Sequence, residues 1–550
     1  MFDISNKKTH QTTFFAFWLV TMLGLLSNYA YVFYAGFNIT LILEISALTA
    51  GISTLVILPL CLIPAKWFAR LYICMTTAVL STILITEYFI LINFSKVINS
   101  DIIDILFSSN KYEAQQFLTT YLPITAIPIY LVALCAIIVC CTYMAKIISS
   151  KKWVNVAGLI SGAFGLCILG YSAYGFAFYR NGYSIPQLTS LTRSVYSVYT
   201  LNVRVKQIDN IFDACHNYII NNSRESENKE MTVCLIIGES HSVFHTDAYG
   251  YEKITFPYLH KIAENNIDGS GCLVWYHDAV SVSDHTHTVM ESIFSMSRHE
   301  TFESSTLFPA HFKALGYTTT LYDNQYFVNK GVSFLNDRKL SDLLFDYRNT
   351  HSVNYEELTP PIAGGNRLLI YHLMGSHYVY SSRYPHDRFT VFTSSDYKYP
   401  ESEAYRDIIS HYDNSLVYTD YILFSIINRL KESKAVVVYV SDHGEEIYEQ
   451  DDFIGHGNAA MRPQIDYQLR VPMFVWMSNS YMEAFPDTAK NVASRSGAPC
   501  ISDDIGHLLI ELTNEHVAFD KTRSVINDEY ITPRRIVLHS IDFDSCNHLE

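Results

Sequence analysis

The sequence predicts an α/β fold with a mostly parallel central sheet, preceded by an N-terminal five-helix transmembrane domain. Three observations carry this expectation. Residues 12–176 hold long apolar runs with few charges, residues 231–550 alternate short β-type apolar runs with helical patterns, and three of those runs end in carboxylate or imidazole side chains. A chain of 550 residues also exceeds one core, because domains cluster at about 100–200 residues.

Five runs are long enough to cross a hydrocarbon layer, which takes about 20 mostly apolar helical residues: 12–34, 43–64, 68–93, 121–147 and 155–176. The first is too long, and lacks the small-residue cleavage site, to be a removed signal peptide, so it is expected to stay as an anchor. Lys7 and Lys8, Lys66 and Arg70, and Lys146, Lys151 and Lys152 occupy alternate connections. The excess of Lys and Arg on cytoplasmic loops then puts the loop 94–120 and everything after about 177 on the opposite face. For a bacterial inner membrane that face is the periplasm. Glu87, an ionisable residue within the third run, is a functional candidate by default, with snorkelling to the interface as the competing expectation.

Residues 177–230 are polar, interrupted and rich in Tyr, Leu and Arg, which suits an amphipathic linker lying at the membrane surface. A net charge of −15 excludes a nucleic-acid partner, which needs a basic footprint. Six cysteines lie in the apolar runs; the other five, Cys215, Cys234, Cys272, Cys500 and Cys546, show no CxxC spacing, so few or no disulfides and no thiolate metal site are expected.

In the last part, 231–550, the runs TVCLIIG (232–238), RLLIYHLMG (367–375), AVVVYVS (435–441) and VPMFVWMS (471–478) are the expected strands. The first runs into Glu239, the second into His377, the third into Asp442 and His443. Open α/β sheets place their sites just beyond the carboxyl ends of strands, so these residues, together with His456 in IGHGN, are expected to meet. Carboxylate oxygen and imidazole nitrogen are what a zinc ion takes when thiolates are absent. Each alone is more often a buried His or a capping Asp; three strand ends finishing this way make coincidence improbable.

The stretch AVSVSDHTHTVMES (279–292) admits three readings: a chelating His285-Thr286-His287, a hydroxyl nucleophile, or a polar loop opening a helix. Val289, Met290, Ile293 and Phe294 fit one helix face, which puts Thr286 and Thr288 at a helix N-terminus, where backbone N–H groups favour a phosphate.

At this point the motifs IIGES, YGYEKITFPYLHKI, YDNQYFVNKG, LMGSHYVYSSRYP, YDNSLVYTDYIL, VSDHGEE and GHGN resemble, in order, those of the phosphoethanolamine transferases of the alkaline-phosphatase and sulfatase superfamily. That group includes the lipid A modifying and mobile colistin-resistance enzymes. The resemblance covers nearly the whole chain. It implies a zinc-dependent enzyme of the inner membrane, expected to be a monomer, that takes phosphoethanolamine from phosphatidylethanolamine onto Thr286 and passes it to a lipopolysaccharide (lipid A or core sugar) or another periplasmic glycan. It implies Glu239, Asp442, His443 and Thr286 as ligands of one zinc ion. It also matches His377, His456 and Lys330 to positions that contact the transferred phosphate or a second zinc, and Glu113 to a position near the lipid entrance. The chain departs from the lipid A branch in carrying Val282 and Ser292 where that branch has cysteines, and Asp284, His285 and His287 around the threonine; this opens the identity of the acceptor. The nearest rival is a glycerol phosphate transferase of the lipoteichoic-acid-synthase type, against which GHGN and YDNSLVYTDYIL weigh. A sulfatase activity would need a C/S-x-P-x-R setting that is missing from this stretch, and a dead scaffold would have lost a ligand.

Overall fold

The computed structural model describes residues 25–31, scattered positions between 39 and 56, 66–94, 97, 98, 102, 189–264, 270–298, 305–325, 334, 337–349, 364–449, 453–457, 459 and 462–546. The chain divides into two compact units, Met1–Arg204 and Val205–Glu550.

In the first unit the third expected span is one helix, α1 (Lys66–Phe94). Among the described residues no helix is long and apolar enough to cross a membrane. The spans 121–147 and 155–176 lie outside the described residues, as do most of 12–34 and 43–64. Glu87 is buried and ion-paired with Arg193, so it is held inside the unit rather than snorkelling to an interface. The linker is helical over α2 (Ser190–Asn222), and the boundary between the units falls within it.

The second unit is built on a seven-stranded sheet of β1 (Met231–Gly238), β2 (Cys272–Tyr276), β3 (Thr318–Asp323), β4 (Tyr347–Arg348), β5 (Arg367–His372), β6 (Lys434–Ser441) and β7 (Met473–Met477), in the order β2-β7-β6-β1-β5-β3-β4. The five strands from β6 to β4 run parallel; β7 alone is reversed, pairing antiparallel with both β6 and β2. The expected mostly parallel sheet is present, with the VPMFVWMS run as an antiparallel strand on it.

The chemistry of the central strands accounts for this arrangement. All eight residues of β1 are buried, and successive side chains on a strand point to opposite faces. Val233, Leu235 and Ile237 enter one core with Val436, Val438 and Val440 of β6, while Cys234 and Ile236 enter the other with Val437 and Tyr439. A strand that is apolar on both faces needs a layer on each side. One layer includes α3 (Thr286–Phe294), whose Val289, Met290, Ile293 and Phe294 join the first core, on the face its spacing predicts. The other includes α4 (Glu403–Leu430), which packs Tyr412, Leu416, Leu423 and Ile427 into the second. The five cysteines described, Cys215, Cys234, Cys272, Cys500 and Cys546, are free thiols, and burial pushes the Cys500 thiol up to about 12.

Candidate active site

Glu239 follows the last residue of β1, and Asp442 and His443 follow β6, the next strand in the sheet. Parallel neighbours in register bring these two ends together, although they lie some 200 positions apart. Ser240, at φ 54, turns the chain so that its N–H donates to Asp442 Oδ1 at 3.1 Å. The other side of Glu239 is pressed by Gly375 (φ 47): a Cβ there would lie 2.9 Å from Glu239 O and 3.0 Å from its N, so a side chain there would displace the Glu239 backbone.

Glu239 Oε1 accepts from Ser240 Oγ at 2.7 Å, and Oε2 from Gln325 Nε2 at 2.5 Å and Thr286 Oγ1 at 3.2 Å. His443 Nδ1 lies 2.8 Å from Gly444 O, a contact that requires the N–H there and turns the Nε2 lone pair inward. Around Nε2 stand Thr286 Oγ1 at 3.3 Å, Asp442 Oδ2 at 3.3 Å and Glu239 Oε1 at 3.6 Å. Asp442 Oδ2 is buried with no hydrogen-bond donor. The ligand atoms of Glu239, Asp442 and His443 all lie within 4.8 Å of one another. Burial, reinforced by the Glu239 charge, pushes the Asp442 carboxyl up to about 7. Glu239 is held well below the ordinary carboxylate range despite burial, by the imidazoles of His443 and His377. Two carboxyls driven apart in this way are crowded negative charge, which a divalent cation relieves. The donor set, two carboxylates, one imidazole and a hydroxyl, fits a zinc site.

Next to it, His456 Nδ1 pairs with Glu445 Oε2 at 2.6 Å, Tyr380 OH donates to Glu445 Oε1 at 2.6 Å, and the His456 ring lies 4.0 Å from that of His443. Burial works to lower His456, but Glu445 raises it to about 9. His443, Glu445 and His456 form a second group able to hold a cation. Burial lowers His377 to about 4, and its Nδ1 has no hydrogen-bond partner. A cationic His456 beside a neutral His377 can meet a phosphoryl group with both charge and hydrogen bonds.

The structure therefore brings Glu239, Thr286, Asp442, His443 and His456 together, with His377 close enough to act on Glu239. Lys330 and Glu113 lie outside the described residues. His285 and His287 are absent from both cation-holding groups. Gln325 and Glu445 are part of the site and were not singled out by the sequence. Gln325 sits two residues beyond β3, a strand hidden by its run of three threonines; Glu445 stands in plain view after the Asp442-His443 pair.

Comparison with known proteins adds three findings. The sulfatase family model matches residues 231–515. The Kdo(2)-lipid A phosphoethanolamine 7''-transferase of Salmonella typhimurium is 29% identical over 310 residues, 52% of this chain and 52% of that protein, and the phosphoethanolamine transferase EptA of Helicobacter pylori is 29% identical over 268 residues, 46% of this chain and 48% of that protein. The chain thus spans about half the length of the curated relatives it matches. Among solved structures, the integral membrane protein lipooligosaccharide phosphoethanolamine transferase A of Neisseria meningitidis shares the fold at a TM-score of 0.59 and 16% identity, over 92% of this chain and 97% of that one. The C-terminal periplasmic domain of EptC from Escherichia coli, in complex with Zn, matches at a TM-score of 0.50 and 22% identity, over 58% of this chain and 94% of that domain.

Proposed function

This chain belongs to the sulfatase family, and from that premise we propose that it transfers phosphoethanolamine from phosphatidylethanolamine, through a phosphothreonine at Thr286, to a lipopolysaccharide or other periplasmic glycan acceptor. The observation that carries this reading is the Thr286 hydroxyl, 3.2 Å from a Glu239 oxygen and 3.3 Å from His443 Nε2, at the first position of a helix. The names of the curated relatives support the transferred group, and the Zn complex of the Escherichia coli domain supports the metal.

Thr286 Oγ attacks the phosphorus of the donor lipid; the bond to diacylglycerol breaks and diacylglycerol leaves with the proton that Thr286 gives up. The α3 N-terminus directs backbone N–H groups at the phosphoryl oxygens, while His456 and His377, with Lys330, balance charge on them. Glu239, Asp442, His443 and Thr286 would hold Zn2+, which would supply positive charge that lowers the pKa of the hydroxyl. Asp442 Oδ2 and the inward lone pair of His443 are the groups of this chain that await it. An acceptor then attacks the phosphothreonine and frees Thr286. A bilayer lipid as donor requires the domain to stay at the membrane face, which the five expected spans, with Glu113 near the lipid entrance, provide at the inner membrane of a bacterium with the catalytic unit in the periplasm.

Thr286→Ala tests the reading directly. The variant is expected to release no diacylglycerol from fluorescent phosphatidylethanolamine while keeping its fold, with zinc content largely retained. Full activity in that variant overturns Thr286 as nucleophile, and preferential consumption of phosphatidylglycerol by the unaltered protein moves the assignment to glycerol phosphate transfer.

A further inference from the structure

We propose that Gln468 is a positioning residue for the transfer: it sets His456 against His443 through bonds to the residues that follow each of them. The inference rests on the transfer proposed above, in which His456 meets the phosphoryl group and His443 the metal. Gln468 lies near the end of a short helix, α5 (Gln464–Leu469), and is buried.

Three hydrogen bonds leave this one residue toward the site. Its main-chain O accepts from the N–H of Gly444 at 2.8 Å. Its side-chain Oε1 accepts from the N–H of Gly457 at 3.0 Å, and its Nε2 donates to Glu446 Oε2 at 3.2 Å. A carboxamide has one accepting and one donating end, so an N–H on one side and a carboxylate on the other fit a single orientation of it. Gly444 directly follows His443, Glu446 follows Glu445, and Gly457 follows His456.

The loops that carry these residues are joined by a hairpin of two-residue strands, Glu446–Ile447 and Ile454–Gly455, in which Glu446 pairs with Gly455. Just outside that pair, His456 Nδ1 meets Glu445 Oε2 at 2.6 Å. A two-stranded hairpin is marginal by itself, so the angle at which it meets the end of β6 needs an anchor. The Gln468 carboxamide grips both of its feet. On the other side, a Cβ on Gly444 would lie 2.3 Å from Tyr467 O, so the chain after His443 is pressed onto the end of α5 where a side chain would not fit. The His443 and His456 rings stand 4.0 Å apart, with Gln468 bonded behind both.

Main chain and side chain divide the role. The bond to Gly444 belongs to the backbone and outlasts a change of side chain, so His443, and the metal it would hold, stay in place. The bonds to Gly457 and Glu446 belong to the carboxamide, so replacing it loosens the hairpin feet and His456 with them. A group misplaced by about 1 Å costs about 100-fold in rate.

The test uses the full-length protein in detergent with fluorescent phosphatidylethanolamine as donor. In Gln468→Met, of similar size, the kcat for diacylglycerol release is expected to fall by about 100-fold at unchanged donor KM and zinc content. Hydrogen exchange, read by mass spectrometry, is expected to quicken in the peptide holding Gly457 and not in that holding Gly444. Gln468→Glu keeps an acceptor for Gly457 but sets two carboxylates face to face, and is expected to lose activity as well. Adding Glu446→Gln to it restores a donor opposite an acceptor and is expected to recover most of that loss; this swap carries the test if Gln468→Met does not fold. Undiminished kcat in Gln468→Met, or a swap no better than Gln468→Glu alone, overturns the positioning role while leaving the transfer standing. Unchanged exchange at Gly457 overturns the tie itself, whatever the activity. Absence of any diacylglycerol from the unaltered protein overturns the transfer and the catalytic role of Gln468 with it.

Discussion

Gln325 shows how much of the proposed metal site lies one bond behind the residues that would hold the ion. Its carboxamide donates to Glu239 Oε2 at 2.5 Å and to Leu373 O at 2.9 Å, which fixes the carboxylate rotamer from within a buried setting. Partners of this kind are worth about 10–100-fold in metal affinity. Gln325→Ala is expected to lower zinc affinity by about that factor while leaving the thermal transition largely unchanged; competitive titration against a chromophoric chelator measures it. The residues proposed as ligands were legible because Glu239, Asp442 and His443 follow apolar strands, where an ionisable residue has a geometric reason to be. Gln325 was not, because Thr-Thr-Thr-Leu-Tyr-Asp does not look apolar, and its burial comes from neighbours β5 and β4 rather than from its own composition.

At the scale of elements, the loop after β1 is tied to α4 by charge. His245 is buried, with Nδ1 2.6 Å from Asp413 Oδ1 on α4 and Nε2 3.2 Å from Glu449 Oε1; Asp413 Oδ2 also accepts from Tyr251 OH at 2.8 Å and Tyr397 OH at 2.5 Å. Burial alone would lower His245, but the two carboxylates raise it to about 10, from an ordinary value of 6.5. A pKa raised on folding stabilises fully below the unfolded value and is lost as pH climbs through the folded one. The melting temperature is therefore expected to fall between about pH 6.5 and pH 10, and His245→Gln, melted across the same range, is expected to lose this part of the slope. Of the parallel strands, β1, β5 and β6 were readable as apolar runs. The edge strand β2 was not, because only Leu273 and Tyr276 of its five residues are buried, which leaves a weaker pattern than a strand covered on both faces.

For the whole molecule, two units divide the work that the proposed reaction needs. The unit Val205–Glu550 contains the full sheet, both of its cores and all the described ligands. Produced alone, it is expected to melt cooperatively and to bind zinc, yet to release no diacylglycerol from phosphatidylethanolamine vesicles. Vesicle activity equal to that of the full chain would remove the need for the first unit. The hydropathy of that unit is plain in the sequence, since five runs are apolar along their length. The helix seen for the third run spans 29 residues, and the buried Glu87–Arg193 pair could not be foreseen, because Arg193 arrives from more than 100 positions downstream.

The two faces of β1 have one more consequence. Its side chains alternate between two cores, and Glu239 and Asp442 are held at the ends of β1 and β6 by a register that both cores maintain. Neither carboxylate has its partner until both layers have closed over the sheet, and ligand groups brought together only by folding make binding energy into folding energy. A half-assembled chain thus has no high-affinity cation site. On the zinc reading proposed above, metal uptake is expected to mark the moment at which the domain is complete, so that a chain that stalls midway does not draw on a scarce supply of the ion.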